Sequence, residues 1–550
     1  MTNTKSKHPK GLYYLFFSEM WERFGFYLML AIFFLYMIDA QNGGLGISKE
    51  NASDIFGTFI ALVYLTPFVG GLLADRVLGY RLSISIGGIL MAIGYIGLAL
   101  PGDWAMIISL GLIIIGNGFF KPNISTLLGG LYSNPEYQDK KDTGYNIFYM
   151  GINVGAFIAP FIASYLRNNY GWGYAFAAAG VGMLLGVVIF WIGNKHYKEA
   201  DVLKPAAAND MPLSRIFGIV ILPAVIAGVL GWVLIPGSIF GSDSTDAFLF
   251  GAIPIMVFYG SLWARASSED KRPIAALLSI FAVVIVFWAI FKQNGTALTT
   301  WAEYYTDREM AEGLTGPAGA IGMVQEVDQS VATVPDYDQN FRARTDADGK
   351  VITKEGVAPY LNNLPESRWP EEGKPLSLIS TELFQSINPF FVILLTPLVV
   401  WFFSYLRQRG KEPSTPAKIM WGLVITAMST LVMVGAVFAG MNGAEKSSAM
   451  WLVGSYAVIT IGELFLSPMG LSLVSKLSPP RLTALMMGGW FLATSIGNKL
   501  SGVLASMWDK YDHKALFFLV NCIGSLMAAF AIFLMLKWLR QIVLAHTGKN

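Results

Sequence analysis

An all-α membrane protein of about fourteen spans is predicted by three observations. Charge is scarce, apolar runs recur at membrane-crossing length, and basic residues alternate between one set of loops and the other. Of 550 residues only 14% are charged and 54% are hydrophobic, whereas a soluble chain carries roughly a quarter charged residues. Runs of about 20 to 25 apolar residues match a hydrocarbon core of ~30 Å.

The first run, 12–38, follows Lys5, Lys7 and Lys10 as a signal peptide's apolar region would. It contains Glu19, Glu22 and Arg23 and has no small-residue cleavage site after it, so it reads as a retained span. Further runs at 52–75, 81–100, 104–130, 143–167 and 173–194 make a set of six. A pair follows at 213–235 and 246–264, then a second set at 273–300, 383–407, 416–440, 447–475, 482–507 and 514–538. The expected divisions are a six-helix bundle at 1–200, an inserted pair at 201–270 and a second six-helix bundle at 271–550. Residues 301–380 interrupt the second set with polar, acidic, Pro/Gly-rich sequence. There Asp348-Gly349 reads as a hairpin turn between Phe341–Thr345 and Lys350–Thr353. The segment is either a small lobe over the outer mouth or a flexible linker.

Loop charge tests the count. With the N-terminus cytoplasmic, the inner loops hold Arg76 and Arg81, Lys140 and Lys141, and Lys195, Lys198 and Lys204. The same side holds Arg265, Lys271 and Arg272, then Arg407, Arg409 and Lys411, then Lys476 and Arg481, and finally Lys537 and Arg540. Short outer loops hold only Lys49, Arg167, Lys446, Lys510 and Lys514. By the positive-inside rule both termini are cytoplasmic.

Composition also excludes classes. A net charge of +2 suggests no nucleic-acid partner, and the single Cys522 cannot form an intrachain disulfide. The histidines, His8, His196, His513 and His546, fall in loops or tails without Cys or carboxylate at ligand spacing, so neither metal nor other cofactor is expected. No nucleophile–base pair or phosphate loop indicates an enzyme.

Ionisable groups inside spans cost at least ~2.5 kcal/mol each, so each needs a reason. Glu19, Glu22 and Arg23 share one helix face by their spacing of three and four. From the cytoplasmic ends of their spans, Glu19 lies ~13 Å deep and Lys121 ~15 Å deep, so the two can meet. Two carboxylates with two cations make a neutral cluster that a proton unbalances, which is how a proton relay is built. Lys292 and Glu463 are further charges within spans, while Lys499, near the outer end of its run, reads as snorkelling.

Glu19-Met-Trp-Glu22-Arg23-Phe24 resembles the ExxERF motif of the proton-dependent oligopeptide transporter (POT or PTR) family of the major facilitator superfamily. Gly116-Asn-Gly-Phe-Phe-Lys121-Pro122-Asn123 and Phe148-Tyr149-Met-Gly-Ile-Asn153-Val-Gly155 resemble its fourth- and fifth-helix signatures. Gly71-Leu-Leu-Ala-Asp75-Arg76 through Arg81, Gln385-Ser-Ile-Asn388-Pro389 and Gly462-Glu463-Leu-Phe-Leu-Ser467-Pro468 extend the likeness to all but 301–380. The resemblance implies a major-facilitator fold and proton-driven import of di- and tripeptides by alternating access. It implies proton coupling through Glu19, Glu22, Arg23, Lys121 and Glu463. Tyr27, Tyr64, Lys121, Tyr149 and Asn153 would line one wall of the pocket, and Trp288, Asn388, Glu463, Ser467 and Trp490 the other.

Two positions depart from the family pattern. The arginine usual seven positions after Arg23 is Leu30, and the glutamate usual four after Trp288 is Lys292. Leu30 and Lys292 lie level, so Lys292 is expected to replace the missing arginine as second cation at the substrate carboxylate. Alternatively Lys292 itself cycles a proton. The expected partners are small peptides, protons and the lipid bilayer, with a monomer in the bacterial inner membrane. The alternatives are a carrier of another small anionic or peptide-like solute and a non-transporting nutrient sensor.

Overall fold

The computed structural model describes residues 8–137, 140–203, 212–237, 239, 241–338, 341–346, 350–479 and 482–547. Six long helices come first: α1 (Gly11–Ile38), α2 (Lys49–Leu73), α3 (Tyr80–Gly97), α4 (Asp103–Leu131), α5 (Lys141–Tyr170) and α6 (Trp172–Ile192). The next pair is α7 (Leu213–Leu234) and α8 (Asp243–Ala264). The last six are α9 (Ser268–Phe291), α10 (Ile387–Gln408), α11 (Thr415–Ala439), α12 (Ala449–Leu477), α13 (Thr483–Ser506) and α14 (Lys514–Thr547). By length and composition 13 described helical stretches can cross a membrane. The one outside that set is α13, whose polar Thr494, Ser495, Asn498 and Lys499 all point into the protein.

Local chemistry sets the ends. Ser48, Ser242 and Ser267 cap α2, α8 and α9 by accepting the backbone N–H of Asn51, Thr245 and Asp270. Prolines sit inside α2, α4, α5, α8, α10 and α12, as membrane helices tolerate. Helix contacts need small residues because lipid tails offer no hydrophobic drive between helices. Gly70 of α2 lies so close to the Gly118 carbonyl of α4 that a Cβ would overlap it.

The packing is in two sets. α1 lies on α5 and α6, α3 on α4 and α6, and α2 on α4. In the second set α9 lies on α13 and α14, α11 on α12 and α14, and α10 on α12. The α2–α13 contact joins the sets, and a Cβ on Gly57 would stand only 2.7 Å from Gly502 Cα. α7 and α8 pair with each other and leave apolar side chains such as Ile226 and Val229 half exposed, facing lipid.

Two elements differ from the sequence reading. The run 273–300 is broken: α9 ends at Phe291, Lys292–Gly295 form a 3-10 turn and a short helix continues over Ala297–Tyr304. Lys499 does not snorkel, because the outer part of α13 is wedged between α2 and α8 rather than facing lipid. It is fully buried and donates to Asp54 Oδ1 (2.6 Å), Thr58 Oγ1 (2.6 Å) and Ser244 Oγ (2.8 Å). Thr245 Oγ1 also donates to Asp54 Oδ1 at 2.9 Å, so one ion pair ties α2, α8 and α13 together.

Residues 301–380 fold as a small lobe. Its strands are β1 (Thr306–Asp307), β2 (Val324–Val327), β3 (Ala332–Pro335), β4 (Thr353–Gly356) and β5 (Leu376–Ile379). β2 pairs antiparallel with β5, β3 pairs antiparallel with β4, and β1 runs parallel to β6 (Ser447–Ser448) just before α12. Val327, Tyr360, Leu361, Leu364 and Leu378 make its core. The tip Asp348-Gly349 lies outside the described residues, but its flanks pair through Asp346 N–H to Lys350 O and Ile352 N–H to Arg344 O, both 2.8 Å.

Breaking a buried pair leaves an uncompensated charge, at about 3–5 kcal/mol. Lys499→Ala is therefore expected to destabilise the folded protein by about that much, read as unfolding in detergent. The double variant Asp54→Ala/Lys499→Ala should recover most of the loss.

Candidate functional site

Burial of α1 on nearly all sides makes its charges a problem the structure solves locally. Glu19, Glu22 and Arg23 are 3%, 0% and 4% exposed. Arg23 forks onto Glu22, with Nε donating to Oε2 and Nη2 to Oε1, the bidentate geometry a guanidinium favours. Its Nε also lies 3.4 Å from Glu19 Oε1, and its Nη2 lies 3.5 Å from Asn117 Oδ1 of α4. Asn117 is fixed in turn by donating to Val63 O of α2 at 2.8 Å. The second Glu19 oxygen, Oε2, is buried with no hydrogen-bond partner among the described residues. α5 reaches this cluster because Gly155 leaves room where a Cβ would collide with Met20 O.

Lys121 does not close this cluster with an ion pair. Its ammonium sits over the Tyr64 ring, 4.1 Å from the centroid, within electrostatic range of Glu19 and Glu22. Lys292 approaches the same ring at 5.4 Å and lies 5.7 and 5.6 Å from the Trp288 and Phe291 rings. The break after α9 accounts for this placement: Lys292 is the C-cap residue, where the helix dipole favours a cation. The 292–295 turn packs on α1, which puts Lys292 beside the helix that carries Leu30. Among the described residues neither Lys121 nor Lys292 has a carboxylate within ion-pair distance. Two ammonium groups thus share one tyrosine.

The same centre holds an anion. Asn388 Nδ2 of α10 donates to Glu463 Oε2 (3.0 Å) and to Thr460 Oγ1 (2.9 Å), both on α12. Glu463 is in electrostatic range of Lys292, Tyr27 and Tyr149. Tyr27, Tyr64 and Tyr149 are mutual neighbours, so α1, α2, α5, α9 and α12 converge on one polar centre. Tyr149 is half exposed, and Asn153 is buried with Nδ2 donating to Tyr149 O at 3.0 Å. Trp288 Nε1 and Ser467 Oγ are buried without a partner. Trp490 is 3% exposed, folded over Gly470 and edge-on to Phe281 in the apolar core of the second set.

Sequence reasoning did not single out Asn117 as Arg23's third contact, nor Asp54 as the partner of Lys499. A signal existed for both. Asn117 is an amide within an apolar run, and Asp54 and Lys499 are opposite charges near the same end of two spans.

Two helical sets around a centre with a cation wall and an anion wall define a polytopic solute carrier. The POT family model matches residues 81–324 and 376–530, and the chain belongs to the POT family, whose members are transporters rather than enzymes. It is 32% identical to the transporter YclF of Bacillus subtilis (strain 168) over 96% of this chain and 94% of that one. It is 31% identical to the di-/tripeptide transporter of Lactococcus lactis subsp. lactis (strain IL1403), over 94% and 93%. A crystal structure of a variant of peptide transporter POT in complex with alafosfalin superposes with a TM-score of 0.75 at 28% identity, covering 97% of this chain and 96% of that one. A POT family transporter in complex with 5-aminolevulinic acid also superposes at 0.75, with 26% identity and 97% coverage of both chains. These likenesses give the all-α chain its major-facilitator fold.

Asn117→Leu should leave the Val63 carbonyl and one Arg23 donor unpartnered, at about 1–3 kcal/mol. The expected outcome is a lower unfolding midpoint, with the other contacts of Arg23 to Glu19 and Glu22 retained.

Proposed function

We propose that the chain is a proton-coupled symporter that imports di- and tripeptides across the bacterial inner membrane. The observation that carries this reading is the pair of ammonium groups at Tyr64, without an ion-pair partner among the described residues, in the same polar centre as Glu463. A peptide is a zwitterion. Its carboxylate suits Lys121 and Lys292, its amine suits Glu463, and Tyr27, Tyr64, Tyr149 and Asn153 border the space between them, with Trp288, Asn388 and Ser467 on the second wall and Trp490 behind it. The relative from Lactococcus lactis named a di-/tripeptide transporter supports the same substrate class.

The bundles at 1–200 and 271–550 are the moving halves, 201–270 is the inserted pair, and the protein acts as a monomer. The distribution of loop Lys and Arg supports cytoplasmic termini and a 301–380 lobe on the outer side. The proton goes to Glu19. Glu22 is held bidentately by Arg23, whereas Glu19 keeps one buried oxygen without a donor, so its charge is the less compensated of the two and taking up a proton there breaks no hydrogen bond at that oxygen. A neutral Glu19 releases positive charge on Arg23 and Lys121 toward an incoming carboxylate, so proton and peptide favour each other's binding. The binding part of this coupling is reciprocal.

A second reading has one specific support. With Leu30 and Lys292 in place of the usual Arg/Glu pair, the cation wall lacks its neutralising carboxylate, which suits another small anionic or peptide-like solute.

In proteoliposomes a labelled dipeptide should accumulate when an inward proton gradient is imposed. Uptake of other solutes only would select the second reading, and binding without flux would make the protein a sensor. Glu19→Gln should abolish gradient-driven accumulation while retaining peptide exchange between equal pools. Lys292→Ala should raise the peptide Kd about ten- to a hundredfold, the loss of a charge-assisted contact of about 1.5–3 kcal/mol. Unchanged uptake and pH dependence in that variant would remove Lys292 from the site.

A further inference from the structure

The family match skips 325–375, a stretch inside the 301–380 lobe, so peptide transport as such gives this insert no task. The lobe, over its described residues, nevertheless holds both halves. On the second half it is anchored through β1–β6, through Asn363 Nδ2 donating to Gly443 O at 3.1 Å, and through the ion pair of Arg342 with Asp512. On the first half it makes an unbroken row of contacts. Ile47 and Lys350 are bridge partners, and Val351 N–H donates to Gly46 O at 3.0 Å. Ser164 Oγ donates to Gly322 O, and Asn168 Nδ2 donates to Val324 O (3.0 Å) and Ser380 Oγ (2.7 Å). At the lobe's end Arg167 pairs with Glu382 at 2.8 Å.

The centre of this row is Lys49, the first residue of α2. It is 6% exposed, and its ammonium donates to Phe341 O at 2.5 Å and lies 4.3 and 5.2 Å from the Tyr304 and Tyr337 rings. A first-half cation is thus plugged into an aromatic and carbonyl socket belonging to the second half. Desolvated cation–π contacts are worth about 2 kcal/mol or more. The socket is rigid, since the Tyr304 and Tyr337 hydroxyls bond each other at 2.9 Å.

We propose that the 301–380 lobe is a latch, with Lys49 as its bolt, that holds the outer ends of the two halves together in this outer-closed form. Any carrier working by alternating access must separate those ends to admit solute from outside. The row of bonds to Gly46, Ile47, Lys49, Ser164 and Asn168 must then open, because the lobe is anchored to the second half. The lobe sets how readily the transporter returns to face outward, whatever the solute.

Spin labels on Gln41→Cys and Ala444→Cys in a Cys522→Ala background report the outer distance between the halves without reference to substrate. Both label positions are exposed. Lys49→Met and, independently, Asn168→Ala are expected to raise the long-distance (outer-open) population at least threefold. Asn168 is exposed, so its variant gives the answer even if Lys49→Met fails to fold. A second arm uses Ile47→Cys/Lys350→Cys, bridge partners with Cα atoms about 5 Å apart, within disulfide reach. Oxidised protein should remain in the short-distance population, and reductant should restore the exchange. An unchanged distance distribution in folded Lys49→Met or Asn168→Ala, or outer opening in the cross-linked protein, overturns the latch. Absence of peptide uptake with an intact label response would instead overturn only the substrate assignment.

Discussion

The buried fork of Arg23 onto Glu22 and Glu19 is the constraint around which the first half is arranged. A guanidinium in hydrocarbon has to find acceptors within its own protein, and here two are supplied by its own helix. The third, Asn117, comes from α4 and is itself held by α2, so one side chain fixes the relative positions of three helices. Gly155 then lets α5 close on the same stretch of α1. The helices that must later move as a body are thus pinned where their charge is most expensive to expose. The same fork leaves an inequality between the two carboxylates: Glu22 is saturated and Glu19 is not. The proton coupling proposed above rests on that inequality rather than on the cluster's net charge.

Much of the architecture was legible because the bilayer is a strict solvent. Apolar run length and loop charge suffice to place nearly every long helix within a few residues. α13 is placed as closely, at 482–507 against Thr483–Ser506, although four polar residues sit in one run; they are tolerated because the helix lies between α2 and α9 instead of in lipid. The rule fails at Lys292. Hydropathy sees one run through 273–300, but the backbone turns at Lys292–Gly295 and converts a mid-span lysine into a helix-terminal one. That change is tertiary, set by the turn's packing on α1.

The site was legible in its residue types more than in its pairings. Depth along two helices brought Glu19 and Lys121 level, yet level side chains need not pair. Arg23 outcompetes Lys121 for both carboxylates because it is on the same helix and forks, whereas an ammonium is a point charge. Lys121 is left to the face of Tyr64. Lys499 was misread for the converse reason: its partner Asp54 is 445 residues away in sequence, and no local pattern reveals it.

The outer end of the moving interface therefore uses lysine twice, in opposite ways. Lys499 is satisfied by a full carboxylate, and its bond to Asp54 of α2 also recruits Ser244 of the inserted pair, a contact at the junction of all three parts. Lys49 is satisfied by a carbonyl and two rings, without a carboxylate among its described contacts. The difference matters for motion. Parting a buried ion pair strands two charges, while withdrawing an ammonium from an aromatic socket at a water-facing surface strands one, which water at once rehydrates. The contact at Lys499 is thus the costlier of the two to open, and the contact at Lys49 is suited to a catch that opens and shuts. α2 carries both, Lys49 at its tip and Asp54 just over one turn further in, so both contacts must part when the outer ends separate.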